Sequence, residues 1–309
     1  MSVAVVAHCD WSMEQKKRWM AVAIKRGGQW HFQSPELVGD TSRLLDRLQH
    51  RAVNPGALLI GFDFPIGLPE AYARAAGVGS FREALISFGS GFWSDWYNVA
   101  DHRDHISLQR PFYPARPGGT ARHLLDALGI SDASSLLRIC ERATADRQAA
   151  CMLFWTLGGN QVGKGAISGW REIIVPRLNE IGLWPFDGNL AELAGSKPII
   201  ITETYPGDVY RQIGMPRNGW SKRRRQTGYG WDRVYCLGLQ RGRTSIPVCF
   251  SRLSTMASAL TKQARIVSMP SSDCWACSMS LTASGVKAFR QSMPSINGRA
   301  GSWGTIVMM

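Results

Sequence analysis

The sequence lacks any hydrophobic run approaching the roughly 18 residues of a membrane-spanning helix, although 45% of its residues are hydrophobic. A spanning helix is therefore not expected, while ample material remains for a globular core. It also lacks the basic start followed by an apolar segment that marks a secretory signal. "SVAVVAHCD" leads directly into strand-like sequence, so no signal peptide is expected. A paired CxxC…CxxC arrangement is missing too. Of seven cysteines, only Cys274 and Cys277 have the CxxC spacing, which alone is a weak signal for metal or redox chemistry. An odd cysteine count with no such framework suits a reducing compartment, and the expected location is the cytoplasm.

Acidic residues are scarce. Asp and Glu number 23 against 36 Lys and Arg, a net charge of +13. Such an excess invites a nucleic-acid reading, but its distribution weakens it. Residues 1–224 carry 26 basic against 21 acidic side chains, and residues 225–309 carry 10 against 2. The last 85 residues also hold 13 serines, four of the seven cysteines and six of the eleven methionines. They have little helical or strand period. A boundary at about residue 225 thus separates a regular domain, 1–224, from an atypical C-terminal segment, 225–309, that is expected to be poorly ordered.

Within the regular part, "VAVVAH" from Val3 is a short β-branched run ending at Cys9-Asp10. "RWMAVAI" and "QWHF" read as strands joined across Gly27-Gly28, a hairpin signal. "DTSRLLDRLQHRA" sets Leu44, Leu45 and Leu48 on one helical face, with Asp40 or Thr41 as the cap. Leu58 to Phe62 is a further strand. From about 70 to 196 the chain is helical and loop-rich, with "SFREALISF" and "TARHLLDALG" as amphipathic helices and "CMLFWTL" as the end of another. "PIIITETYP" is a last buried strand. Strand, hairpin, helix, strand, long insertion and strand make an α/β fold with a mixed sheet.

Three strands share a design. Asp10 follows "VAVVAH", Asp63 follows "LLIGF", and Glu203 follows "IIIT". In open α/β sheets, functional groups gather where strands end. A carboxylate desolvated there is costly unless it is paired or binds a cation. Converging acids therefore point to a divalent ion, Mg²⁺ or Mn²⁺, which hard carboxylate oxygens suit. Pro65 and Tyr205-Pro206 stop the strands and set how the acids are presented. The simpler reading makes each acid a strand-end residue facing water or capping a helix.

"CDWS" with "KKRWMAVA", then "IGFDFPIGLP", "LFWTLGGNQVGKGAISGWREII", "LWPFDG" and "ITETYPGDVYRQIG" resemble, in order and across residues 1–224, the domain-of-unknown-function 429 family. Members of that family are predicted nucleases. The resemblance implies a ribonuclease H-like mixed sheet with a large helical insertion, an acidic metal site at Asp10, Asp63 and Glu203, and nucleic acid, DNA or RNA, as substrate. It also calls for a fourth acid on a late helix, in a segment of the type "EDxFDAL", which this sequence does not contain. Rebuilding each codon from the last base of one residue and the first two of the next allows "ARIVSMPSSDCWACSMS" to be read as "EDRFDALFRLLGLLDVA". Two other stretches beyond Arg224 convert in the same register. The segment 225–309 thus reads as the product of a frameshift, and loss of the fourth acid implies impaired activity.

Other features carry less. "GGNQVGKG" fits a phosphate loop except that Gly165 stands where Ser or Thr would meet magnesium, and no strand precedes it. Lys164 and Gln161 suit contact with a phosphate or the holding of a loop. "RPFYPARPGG" sets Arg110 and Arg116 among aromatic groups, a pattern for stacking and phosphate contact, although proline-rich surface loops look similar. "DHRDH" is expected to be a solvated loop, and Trp93, Trp96, Trp155, Trp170 and Trp184 to be core. The preferred function is metal-dependent phosphodiester hydrolysis. The alternatives are a non-catalytic ribonuclease H-like binding module and a small-molecule phosphotransferase.

Overall fold

The computed structural model describes residues 2–144, 148–158 and 162–205. The segment 225–309, its proposed frameshift and Gln161 lie outside the described residues.

Apolar β-branched runs form the centre of a seven-stranded mixed sheet. Strand β1 (Val3–Asp10) is buried along nearly its whole length, and β5 (Ala57–Phe62) is buried throughout, as expected of strands covered on both faces. Antiparallel to β1 runs β2 (Trp19–Arg26), which turns through Gly27 and Gly28 into β3 (Gln29–Phe32). Both glycines have positive φ, 54° and 81°, the conformation that a two-residue hairpin turn requires. The short β4 (Glu36–Leu37) pairs with the start of β2. On the other side of β1 lie β5, β7 (Ile199–Glu203) and β6 (Ile181–Trp184), all parallel. The order is β3-β2-β1-β5-β7-β6.

Asp40 accepts from Ser42 N and opens a 3₁₀ turn that runs into α1 (Leu44–Gln49). Leu44, Leu45 and Leu48 are buried there, each stabilising by about 1.5–3 kcal/mol. They join the larger core, which is built on the sheet face of Val5, Ala7, Cys9, Leu58, Ile60 and Phe62. The other face carries a smaller cluster in which α6 (Leu190–Ser196) packs Leu193 and Ala194 against Leu59 and Ile200.

The insertion is less helical than its sequence suggests. Its helices α2 (Glu70–Ala75), α3 (Phe81–Ser87), α4 (Ala121–Leu128) and α5 (Val162–Gly169) are short and joined by 3₁₀ turns. "CMLFWTL" is not a helix end. Trp155 pairs with Tyr113 in an isolated bridge, while Leu153 and Phe154 are buried in a turn, so an apolar run read as a helix end is irregular chain. Strand β6 also falls within the insertion, too short and too glycine-broken to show a period. Aromatic stacking binds this region together. The Trp96 ring lies 3.7 Å from Phe88 and 5.5 Å from Trp170. Both Trp96 and Trp170 are fully buried, Trp93 and Trp155 pack at the edge of the same core, and Trp184 packs on the smaller cluster. Among the described residues no helix is long and apolar enough to cross a membrane.

Candidate functional site at the strand ends

Register decides which groups meet at the mouth of the sheet. Cys9 pairs with Phe62, and Phe62 with Glu203, so these three form one row. Asp63 N donates to Cys9 O at 3.4 Å, and Thr204 N donates to Phe62 O at 2.8 Å. Asp10, Asp63 and Thr204 therefore make the next row out. Because side chains alternate between faces, Glu203 belongs with the Cys9–Phe62 face and Asp10 with the opposite one. All three acids are half-buried.

Asp63 sits where β5 ends, and its turn is tied to the turn after β1. The backbone N–H of Trp11 donates to Asp63 Oδ1 at 2.6 Å. The Trp11 ring meets Phe62 and Phe64 edge-on at 5.4 and 5.5 Å, and its indole N–H donates to Ser168 Oγ on α5 at 2.7 Å. Arg18 covers the other face of the ring, with its guanidinium carbon 3.9 Å from the ring centre. That guanidinium is itself gripped by both oxygens of Glu172. Helix α5 can approach closely because Gly169 has no side chain. A Cβ there would lie 2.3 Å from the Phe64 ring.

Glu203 has a different setting. Arg138, on the insertion, meets it as a fork, with Nη2 to Oε1 at 2.7 Å and Nη1 to Oε2 at 2.5 Å. Ile66 N also donates to Glu203 Oε2 at 2.8 Å. The Arg138 side chain is 5% exposed and Glu141, its second carboxylate partner, 4%. Burial alone would lower the Arg138 pKa, but the charge and hydrogen bonds of Glu203 carry it well above the usual value. Burial raises the Glu141 carboxyl against the opposing pull of Arg138.

On the outer row, Thr204 lies across Gly61, where an added Cβ would come within 2.4 Å of Thr204 Cγ2. From there Thr204 Oγ1 reaches His8 Nδ1 at 2.7 Å. Beneath, the thiol of Cys9 is pushed strongly upward by burial and then by the charge of Asp63, so it remains protonated.

Of the other predicted contacts, Lys164 stands on α5 one turn before Ser168, the i,i+4 spacing that places both on one helix face. Arg110 Nη2 donates to Val99 O at 3.0 Å, and Arg116 Nη2 to Asp101 Oδ2 at 3.1 Å. Both arginines thus brace the 99–116 loop, and neither is joined to the strand-end acids by these bonds. Asp101 also holds His105 Nδ1 at 2.7 Å, so "DHRDH" is a polar loop with its own internal contacts. Sequence reading missed Arg138, His8 and Thr204 as members of the site. It did quote Trp11, Arg18, Ser168 and Glu172 inside separate motifs, and those motifs pack on one another.

Among the described residues no group of three His, Cys, Asp or Glu side chains stands ready to hold a metal ion. By donor type, Asp10 and Asp63 suit a hard divalent ion, whereas Glu203 spends both oxygens on Arg138 and Ile66. Comparison with protein-family models, curated proteins and solved structures gives no match.

Proposed function

We propose that the chain is a divalent-metal-dependent nuclease of ribonuclease H-like architecture, related to the domain-of-unknown-function 429 family, and that its site lies where β1, β5 and β7 end. One observation carries the reading: Asp10 and Asp63 occupy the same row at the ends of two adjacent parallel strands. A sheet with three antiparallel strands followed by parallel ones, and acids at the parallel mouth, suits the same architecture.

Asp10 and Asp63 would hold Mg²⁺ or Mn²⁺, which supplies charge compensation at a phosphodiester and acidifies water. The chain's own groups prepare the site. The Trp11 N–H fixes the orientation of the Asp63 carboxylate. The Arg18–Glu172 pair holds the Trp11 ring, and so that N–H, in place. Lys164, on the Ser168 face of α5, is a candidate for a contact to substrate phosphate, whose charge a lysine meets as a point cation.

The test is cleavage of labelled single- and double-stranded DNA and RNA by the full chain, with Mg²⁺, Mn²⁺ or EDTA. The expected outcome is cleavage that needs the ion and is abolished in Asp63→Asn. Cleavage indifferent to EDTA, or unchanged in that variant, overturns the assignment. Metal-independent binding without cleavage would favour a non-catalytic module, and saturable nucleotide binding unaffected by DNA or RNA a phosphotransferase.

A further inference from the structure

Glu203 is a strand-end acid whose two oxygens are both engaged within the protein. We infer that Glu203 is the internal counter-ion of Arg138, and that the pair is a positioning device for the turn carrying Asp63 instead of part of a cation's ligand set. The inference rests on reading the strand ends as a hydrolytic site.

Three observations carry it. First, both Glu203 oxygens accept bonds from the Arg138 fork, and Oε2 accepts the Ile66 N–H as well. Paired, two-pronged arginine–carboxylate contacts are among the strongest polar contacts in proteins. A metal ion drawing Glu203 away would take one of the two carboxylates, Glu203 and Glu141, that face a buried guanidinium, and an ion approaching beside the fork would be repelled by it. Stripping a partner from a buried ion pair is strongly destabilising.

Second, the pair grips the backbone of one residue, Ile66, at both its N–H and its C=O. Ile66 N–H goes to Glu203, and Ile66 C=O accepts from Arg138 Nη1 at 2.8 Å. The adjoining Pro65 C=O accepts from Trp170 Nε1 at 2.7 Å. Asp63 lies just upstream, held from the opposite side by Trp11 N. The turn is thus fixed between the insertion and β1. Third, register sets Glu203 in the row of Cys9 and Phe62, one row below Asp10 and Asp63.

The experiment is Mn²⁺ titration by electron paramagnetic resonance, together with thermal unfolding, on the full chain. The variants are Asp63→Asn, Glu203→Gln, Arg138→Met, Arg138→Lys and the Glu203→Gln/Arg138→Met double. Glu203→Gln is isosteric and keeps an acceptor, so a folded protein is expected even if Arg138→Met proves unstable. A positioning pair predicts that Glu203→Gln and Arg138→Met each weaken Mn²⁺ binding by a similar factor, about tenfold as for groups supporting a ligand. The double is expected to be no weaker than either single, and Asp63→Asn to abolish binding. Arg138→Lys is expected to rescue little, because an ammonium keeps the charge but not the fork.

If Glu203 is a direct ligand, its substitution matches Asp63→Asn while Arg138→Met leaves binding intact or tightens it, and the inference fails. If the wild-type chain takes up no Mn²⁺, the hydrolytic reading fails instead. The pair is then judged by unfolding: a double variant no less stable than either single supports it, and fully additive losses overturn it.

Discussion

The backbone N–H of Trp11 points at Asp63 Oδ1 from 2.6 Å, so the first strand's exit and the fifth strand's exit share one hydrogen bond. The acid chosen from sequence as a ligand is therefore also a structural acceptor, and those roles separate by substitution. Asp63→Ala leaves the Trp11 N–H without this acceptor and is expected to destabilise by about 1–3 kcal/mol. Asp63→Asn keeps an acceptor oxygen and is expected to cost less, while removing the charge that the proposed cleavage requires. Urea unfolding of the two variants beside the nuclease assay checks both parts.

Behind Trp11 stands Arg18, 1% exposed, with Glu172 as its carboxylate partner, 29% exposed. Glu172→Ala leaves a buried guanidinium without that partner, which costs about 3–5 kcal/mol for fully buried pairs. Partial exposure of Glu172 places this case at the lower end. Equilibrium unfolding followed by tryptophan fluorescence measures the loss. A stability equal to wild type would mean that Arg18 finds water or another acceptor.

Gly169 presents two opposing effects. Helix propensity favours alanine over glycine by about 1 kcal/mol, but the new Cβ would stand 2.3 Å from the Phe64 ring. Overpacking of this kind costs about 1–3 kcal/mol, so Gly169→Ala is expected to destabilise. Gly195, in α6 with open space around it, is the control, and there the same change is expected to stabilise. Adding Phe64→Leu to Gly169→Ala is expected to recover part of the loss in thermal unfolding.

Tyr97 lies beside Phe88 and the exposed Arg171, whose guanidinium carbon is 5.6 Å from its ring. Burial raises its phenol to about 12, with Arg171 pulling the other way. A folded-state pKa above the unfolded value near 10 contributes stability that is complete below pH 10 and is lost as pH rises toward about 12. Ultraviolet titration of wild type minus Tyr97→Phe is expected to isolate this late transition. Arg171→Gln is expected to move it higher still, and an ordinary titration near 10 would contradict the burial argument.

Much of the frame was legible in the residues. Gly27-Gly28 announced the hairpin, Asp40 the cap and Leu44, Leu45 and Leu48 the packed face, because local conformation and period follow from neighbours in the chain. The short β6 and the irregular path of "CMLFWTL" were not legible, since each depends on partners far away: β7 for the one, Tyr113 for the other. Arg138 gave no local signal at all, standing in a 3₁₀-rich stretch whose meaning comes from Glu203, 65 residues later.

From its own order, then, the chain determined that acids follow three apolar runs and that prolines or turns interrupt them. Only the tertiary structure decided how those acids differ. Pairing register put Asp10 and Asp63 in one row and Glu203 in another, and packing of the insertion delivered the Arg138 guanidinium to Glu203. The reason is physical: a strand's ending is encoded in the few residues around it, but the charge that settles a half-buried carboxylate arrives through contacts that no local pattern contains.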